Sequence, residues 1–232
     1  MSVRVARPEV LLLDAGNTLV YLDHEALAAC ARQAGAAVEA PALARAEALA
    51  KRRYEALMTA GMSHEQGWDL HMSVLLESGG VAPAAVPAAL EVIKAEHVRF
   101  NLWRKVPQGL PESLTRARRD GIRLGVVSNS EGRLMELFQR LGLADQFELV
   151  IDSALEGVRK PDPEIFRRAL TRMGGVPASA ALYAGDIPSV DVVGARAAGM
   201  EGVLIDTLAH FPDYRDAPRF ASVSALLASF GV

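Results

Sequence analysis

Four polar residues stand at the ends of short apolar runs in this sequence: Asp14, Ser128, Asn129 and Asp186. A fifth, Lys160, lies in a loop flanked by prolines. Two carboxylates in one place repel each other unless a cation separates them, whereas a hydroxyl, an amide and an ammonium group suit phosphate oxygens. The set therefore predicts a site for Mg²⁺ and a phosphoryl group, with Asp14 as a nucleophile that forms an aspartyl-phosphate.

The apolar runs themselves predict the elements that position these residues. Val10–Leu13 is an uninterrupted apolar run, as expected of a strand buried on both faces of a parallel sheet. Further runs alternate with helical patterns that end at glycine, which indicates an α/β fold: a Rossmann-like, doubly wound parallel sheet of about five strands. Ligands of such sheets bind beyond the carboxyl ends of the strands. The predicted strands after the first are 122–127, 149–151, 181–184 and 203–205.

Residues 22–104 have a different pattern, with helical spacing throughout and no strand-like run between residues 23 and 103. Asp23 is suited to cap a first helix, Pro41 to open a second, and residues 63–66 form a capping-box pattern for a third. We therefore expect an all-helical cap domain at 22–104, inserted into a catalytic core formed by residues 1–21 and 105–232.

Composition excludes several classes of function. The 232 residues carry a formal net charge of −3, which gives no reason to expect a nucleic acid or an anionic membrane as partner. Cys30 is the single cysteine, so no internal disulfide forms, and no run approaches the roughly 20 apolar residues of a membrane span. We expect a cytoplasmic protein, a monomer or small homo-oligomer, that acts on a small phosphorylated molecule.

Four segments, in this order, resemble the motifs of the haloacid dehalogenase-like (HAD) superfamily of hydrolases. They are residues 14–19 (Asp-Ala-Gly-Asn-Thr-Leu), the strand ending in Ser128-Asn129, Lys160 with its following Pro-Asp-Pro, and the Gly-Asp pair at 185–186 with Asp191. Each motif is weak alone, but the ordered set is specific and covers the whole core. The 114 positions from Asp14 to Ser128 fit the subfamily with a helical cap inserted after the first strand.

The resemblance implies a role for each matching position. Asp14 corresponds to the nucleophile, and Lys160 to the lysine that pairs with the nucleophile and the phosphate. Asp186 and the carbonyl of Gly16 correspond to Mg²⁺ ligands, together with the second oxygen of Asp14. The implied phosphate-binding turn is Ser128-Asn129, and Asp191 corresponds to an acid that orients Lys160 or a metal-bound water.

Gly16 departs from the phosphatase pattern, in which this position is usually a second Asp that acts as general acid and base. Such catalysis is typically worth about 10²–10⁴ in rate, or roughly 3–5 kcal/mol of barrier. Three explanations are open. The leaving group is a good one, such as an aryl or acyl phosphate; the cap supplies a proton donor, with His24 favoured over His64 and His71; or turnover is weak.

Two alternative functions follow from the same departure. The 2-haloacid dehalogenases of the superfamily also lack the second acid, but they are metal-free and depart from the Gly-Asp pattern, which is intact here at Gly185-Asp186. The other alternative is a catalytically impaired binding or regulatory protein on the same fold. The intact pair favours a metal-dependent phosphatase.

Overall fold

The computed structural model describes residues 5–60 and 64–232, with the backbone alone for residues 58, 59 and 64–66. Its strands, in chain order, are β1 (Val10–Leu13), β2 (Tyr21–Leu22), β3 (Trp103–Lys105), β4 (Arg123–Ser128), β5 (Leu149–Asp152), β6 (Ala181–Gly185), β7 (Glu201–Ile205) and β8 (Arg219–Phe220). Its α-helices are α1 (His24–Gln33), α2 (Ala40–Thr59), α3 (His64–Ser78), α4 (Val86–Arg99), α5 (Leu110–Arg119), α6 (Leu134–Leu141), α7 (Ser153–Glu156), α8 (Pro163–Arg172), α9 (Val193–Ala197) and α10 (Val223–Ser229).

Six of the strands form one parallel sheet in the order β5-β4-β1-β6-β7-β8. The central strand β1 pairs with β4 on one side and β6 on the other, so Leu13 lies opposite both Val126 and Ala184. The residues that follow these three positions therefore reach the same edge of the sheet. The predicted α/β architecture with a parallel sheet is confirmed, with β8 as a sixth strand beyond the five expected.

The sheet is held by apolar side chains on both of its faces. All four residues of β1 have no exposed surface, as expected of a central strand covered by helices on both sides. On one face Val10, Leu12 and Tyr183 pack with Ile165 and Phe166 of α8. This packing fixes the strand ends that carry the polar residues.

The chain divides into two compact units. The core unit takes in the chain up to Tyr21, Lys105–Thr207 and Asp213–Val232, and the helical unit takes in Leu22–Arg104 and Leu208–Pro212. Residues 208–212, which the sequence assigned to the core, thus group with the helical unit.

The helical unit consists of α1 to α4 around its own apolar core, which includes Leu27, Leu43, Met72 and Ile93. Asp23 caps α1 as predicted, accepting a hydrogen bond from the amide nitrogen of Ala26. The expectation that no strand lies between residues 23 and 103 is wrong at residue 103, because β3 begins at Trp103 and pairs with β2. Ser63 of the predicted capping box lies outside the described residues.

None of the helices within the described ranges combines the length and the apolar run that crossing a membrane requires.

Candidate active site

Asp14 follows the central strand β1 directly and is buried there. Its amide nitrogen donates to the carbonyl of Ala184 on β6, which extends the parallel pairing by one residue. The chain then turns through Asn17, whose backbone is left-handed with φ of 52°. Asparagine tolerates this conformation better than most residues, so Asn17 suits this turn.

Lys160 is held at the same edge of the sheet and is 2 % exposed. The side chain of Asn129 exchanges two hydrogen bonds with its backbone: Nδ2 donates to the Lys160 carbonyl and Oδ1 accepts from the Lys160 amide, both at 2.9 Å. Beyond the loop, Asp162 caps α8 by accepting from the amide of Glu164, and Pro163 takes the first helical position. These contacts fix the lysine from both sides.

The ammonium group of Lys160 has three acceptors at hydrogen-bonding distance. Its Nζ lies 2.7 Å from Asp14 Oδ1, 2.7 Å from Asp191 Oδ1 and 2.7 Å from the hydroxyl of Tyr183. The Tyr183 hydroxyl in turn donates to the Val127 carbonyl at 2.8 Å, which leaves its oxygen to accept from the ammonium. A lysine has three N–H bonds, so all of them are used within the protein.

Asp191 is buried behind Lys160 in a π-helical turn over Pro188–Val192. Its second oxygen, Oδ2, accepts from the amide of Ile187 at 2.8 Å, so both oxygens are engaged. A Cβ at Gly185 would lie 2.3 Å from Cγ of Asp191. The glycine before Asp186 is therefore required for the close approach of Asp191 to the end of β6.

Asp14, Asp186 and Asp191 bring carboxylate oxygens within 4.8 Å of one another, and all three residues are buried. Burial raises the pKa of the Asp14 carboxyl; the adjacent Asp186 raises this pKa further, and the Lys160 ammonium opposes both effects. The pKa of Asp191 is likewise raised by burial and lowered by Lys160. With all groups ionised, three carboxylates face one ammonium, a surplus of two negative charges that a divalent cation would balance.

Ser128 ends β4, next to β1, and is also buried. The loop after it is held by Asp152 at the end of β5, whose carboxylate accepts from the amides of Gly132, Leu134 and Ala154. These bonds hold the loop up to Leu134, where α6 begins.

The structure thus brings Asp14, Lys160, Asp186 and Asp191 into one cluster of the core unit. Gly16 lies within the turn that follows Asp14, Ser128 ends the neighbouring strand β4, and Asn129 directly follows it. His24 lies in the helical unit, where its Nε2 is 2.9 Å from a carboxylate oxygen of Glu47. The side chain of His64 lies outside the described residues.

Sequence reasoning missed Tyr183 and Asp152. A tyrosine within the apolar run 181–184 was a usable signal, because a buried phenol needs a hydrogen-bond partner. Asp152 follows the run 149–151 just as Asp14 follows its own, so the rule that selected Asp14 applies to it equally.

Comparison with known proteins gives the same family as the motifs. The family model of haloacid dehalogenase-like hydrolases matches residues 8–199. The bovine (Bos taurus) haloacid dehalogenase-like hydrolase domain-containing protein 3 is 32% identical over 205 residues, which cover 84% of this chain and 81% of the relative. A phosphoserine phosphatase of Thermus thermophilus is 35% identical over 178 residues, 72% of this chain and 70% of the relative.

Among solved structures, YfnB from Bacillus subtilis, crystallised with magnesium bound, superposes with a TM-score of 0.68 at 19% identity. The match covers 98% of this chain and 100% of that protein. At this identity the likeness concerns the fold alone. By the family model and the sequence relatives, the chain belongs to the haloacid dehalogenase-like hydrolases.

Proposed function

We propose that this hydrolase is a Mg²⁺-dependent phosphatase that acts on a small phosphorylated metabolite through an aspartyl-phosphate on Asp14. One observation carries the proposal: the Asp14 carboxylate lies 2.7 Å from a fully buried ammonium and beside two further carboxylates. Relatives named as phosphatases support the reaction class. The cytoplasmic location expected from the sequence stays a prediction.

The donor set fits a hard divalent cation. Mg²⁺ prefers one or two carboxylates together with waters and phosphate oxygens. Asp14 and Asp186 would hold the ion, with the carbonyl of Gly16 as a third protein ligand, because both oxygens of Asp191 are already engaged. When bound, the cation supplies positive charge to the reacting phosphoryl group.

In the proposed reaction, one oxygen of Asp14 attacks phosphorus. The new O–P bond forms as the bond to the leaving oxygen breaks, and the leaving group takes that electron pair. Lys160 holds the other oxygen of Asp14 and keeps the carboxylate oriented. Water then attacks the aspartyl-phosphate, which releases phosphate and restores the Asp14 carboxylate.

The residues proposed from the sequence to contact phosphate differ in how many of their N–H and O–H donors are already used within the protein. The three N–H bonds of Lys160 and one of the two N–H bonds of Asn129 Nδ2 already have protein acceptors. We therefore propose that Ser128 donates directly to the phosphate and that Lys160 contributes its charge. We propose that Asn129, whose side chain binds both backbone groups of Lys160, acts by placing Lys160.

Gly16 has no side chain that can protonate the leaving group. The proposed substrates are therefore those whose leaving group departs without a proton, such as acyl or aryl phosphates. We expect kcat for acetyl phosphate and p-nitrophenyl phosphate to exceed kcat for an alkyl phosphate by about 10²–10⁴, the usual contribution of general acid catalysis. Equal kcat values across the three would show that another group supplies the proton.

His24 remains the proposed alternative source of that proton, and His24→Ala would then lower turnover strongly without loss of the fold. The contact between His24 and Glu47 gives His24 a structural role as well. Glu47→Gln removes the charge of this contact and leaves the imidazole of His24 in place. A loss of turnover in His24→Ala alone supports the proton donor, whereas equal losses in both variants contradict it.

The absence of a second acid at Gly16 also favours a second candidate, hydrolysis of 2-haloacids. It predicts halide release that a chelator leaves unchanged. A catalytically impaired binding protein, the third candidate, predicts that phosphate and Mg²⁺ bind while no substrate is turned over.

The deciding experiment is a phosphate-release screen over a panel of phosphorylated metabolites, with Mg²⁺ and with EDTA. We expect release that requires Mg²⁺ and is lost in Asp14→Asn. The matched control is Asp145→Asn, because Asp145 is exposed and its side chain lies outside the cluster. Equal release by the wild type and Asp14→Asn would overturn the proposal.

A further inference from the structure

Tyr183 carries a hydroxyl at a position in β6 where burial favours a fully apolar side chain. It lies in β6, between β1 and β7, and has no exposed surface. Its ring packs edge-on against Phe166, with ring centroids 4.9 Å apart. A phenylalanine would satisfy all of this packing, so the hydroxyl calls for a separate explanation.

The hydroxyl contacts three groups of the site. It donates to the Val127 carbonyl at 2.8 Å, one residue before Ser128, and it accepts from the Lys160 ammonium at 2.7 Å. It also lies 3.3 Å from Oδ1 of Asp191, a longer contact than the other two. A buried ammonium group needs an acceptor for each of its N–H bonds. Tyr183 is the only one of its three acceptors that is uncharged.

The neutrality of this third acceptor has a consequence for charge. Three carboxylates already surround the cation-binding edge of the sheet. A third carboxylate on Lys160 would increase the surplus of negative charge, whereas an unsatisfied N–H would let the ammonium turn away from Asp14. The hydroxyl satisfies the third N–H and adds no charge.

We infer that Tyr183 is a positioning residue, whose hydroxyl aims the Lys160 ammonium at Oδ1 of Asp14 and ties it to the strand that ends in Ser128. The inference rests on the proposed function, since it assigns Tyr183 to the reaction at Asp14. It names a task for a residue outside the four motifs of the sequence.

Tyr183→Phe removes the hydroxyl and retains the ring. We expect kcat for phosphate release to fall about 10- to 100-fold, the effect of a small misplacement in a site, while KM changes less than about threefold. A second readout is independent of turnover: the ¹⁵N NMR signal of the Lys160 ammonium, assigned by its absence in Lys160→Arg. Because the ammonium is buried and has three acceptors, we expect its hydrogens to exchange slowly with water in the wild type. In Tyr183→Phe we expect exchange at least about tenfold faster, because one N–H has lost its acceptor.

Phe166→Leu is the matched control. It disturbs the same packing and lowers the thermal midpoint, but it removes no acceptor of the ammonium, so kcat and the exchange rate stay within about twofold of the wild type. If Tyr183→Phe does not fold, Tyr183→Met fills the strand position without a hydroxyl and carries the same expectations.

Unchanged kcat and unchanged exchange in Tyr183→Phe would overturn the inference, as would equal changes in Phe166→Leu. The proposed function fails differently. If the wild type releases no phosphate from any substrate, kcat cannot be compared between the variants. The exchange rate of the Lys160 ammonium hydrogens still tests the role of Tyr183.

Discussion

The side chain of Asn129 holds Lys160 in place by binding to the backbone of Lys160. The side-chain amide donates to the carbonyl of Lys160 and accepts from its N–H, both at 2.9 Å, across 31 positions of sequence. An amide side chain carries both a donor and an acceptor, so it can bind the carbonyl and the N–H of one residue at the same time. The strand end that carries Ser128 and the loop that carries the lysine are thereby locked together.

Replacement of Asn129 by alanine should therefore affect stability and catalysis together. The change leaves a peptide N–H and a carbonyl without partners, at a cost of about 1–3 kcal/mol in the free energy of unfolding. The displaced lysine should lower kcat about 10- to 100-fold. Urea unfolding and phosphate release measure the two effects.

Ser130→Ala is the control for this prediction, because Ser130 lies in the same loop and bonds Ser153 through its backbone alone. It should change both quantities little. A raised KM with unchanged kcat and stability in Asn129→Ala would instead mean that the amide contacts the phosphate directly.

Gly185→Ala should disable the site through Asp191. The added Cβ would lie 2.3 Å from Cγ of Asp191, too close for any rotamer to relieve without movement of that carboxylate. Since Asp191 Oδ1 accepts from Lys160, the lysine loses its support. We expect kcat to fall at least about 100-fold.

Gly125→Ala serves for comparison. This substitution also adds a methyl group to a strand glycine, but its Cβ meets the far end of the Leu12 side chain at 2.8 Å, which has room to adjust. It should cost about 1–3 kcal/mol in unfolding free energy and leave kcat nearly intact. Similar kinetic losses in both variants would refute the specific role of Asp191.

The strand ends can be predicted from the sequence because of what stops each apolar run. Runs of the central strands are buried on both faces, and a charged or polar residue marks the point where the chain leaves the sheet. This is why the amino-acid pattern alone places Asp14, Ser128 and Asp186 at one edge of the sheet.

Local sequence patterns do not reveal features that depend on contacts between positions far apart in the sequence. The tasks of Asn129 and Tyr183 arise from their bonds to Lys160, 31 and 23 positions away, and no local pattern identifies Lys160 as the partner. The edge strand β8 is two residues long and not fully buried, so it has no apolar run to detect. Local periodicity finds elements, but tertiary contacts set their limits and their roles.

Asp186 should lower the free energy of unfolding of the metal-free protein and raise that of the Mg²⁺-bound protein. Its negative charge raises the pKa of Asp14, a sign of repulsion between the two groups. In EDTA, Asp186→Asn should therefore unfold at a higher temperature than the wild type, by a gain of about 0.5–2 kcal/mol.

Added Mg²⁺ should reverse this order. At 100 times its dissociation constant a ligand stabilises the folded state by about 2.7 kcal/mol, and the variant should lose most of this gain. Thermal unfolding with EDTA and with Mg²⁺ tests both statements, and Asp145→Asn should behave as the wild type does. Equal stabilisation of wild type and Asp186→Asn by Mg²⁺ would contradict the assignment of Asp186 as a ligand.

His71 should make the stability of the helical unit depend on pH. It is buried, and burial lowers its pKa from 6.5 to about 4, although Glu47 and a hydrogen bond with the backbone of Ala50 act in the opposite direction. Between these two pH values the unfolded chain binds a proton that the folded chain does not. The free energy of unfolding therefore falls as the pH is lowered through this window.

Between pH 7 and pH 5 this group alone should cost about 2 kcal/mol, which follows from about 1.4 kcal/mol per unit of pKa difference. Glutamine binds no proton in this range. The free energy of unfolding of His71→Gln should therefore fall by about 2 kcal/mol less than that of the wild type between pH 7 and pH 5. Urea unfolding of both proteins at the two pH values measures the difference. Because burial causes the shift, high salt should leave the difference in place, whereas a surface charge effect would be screened. The same pH dependence in both proteins would show that His71 is not the titrating group.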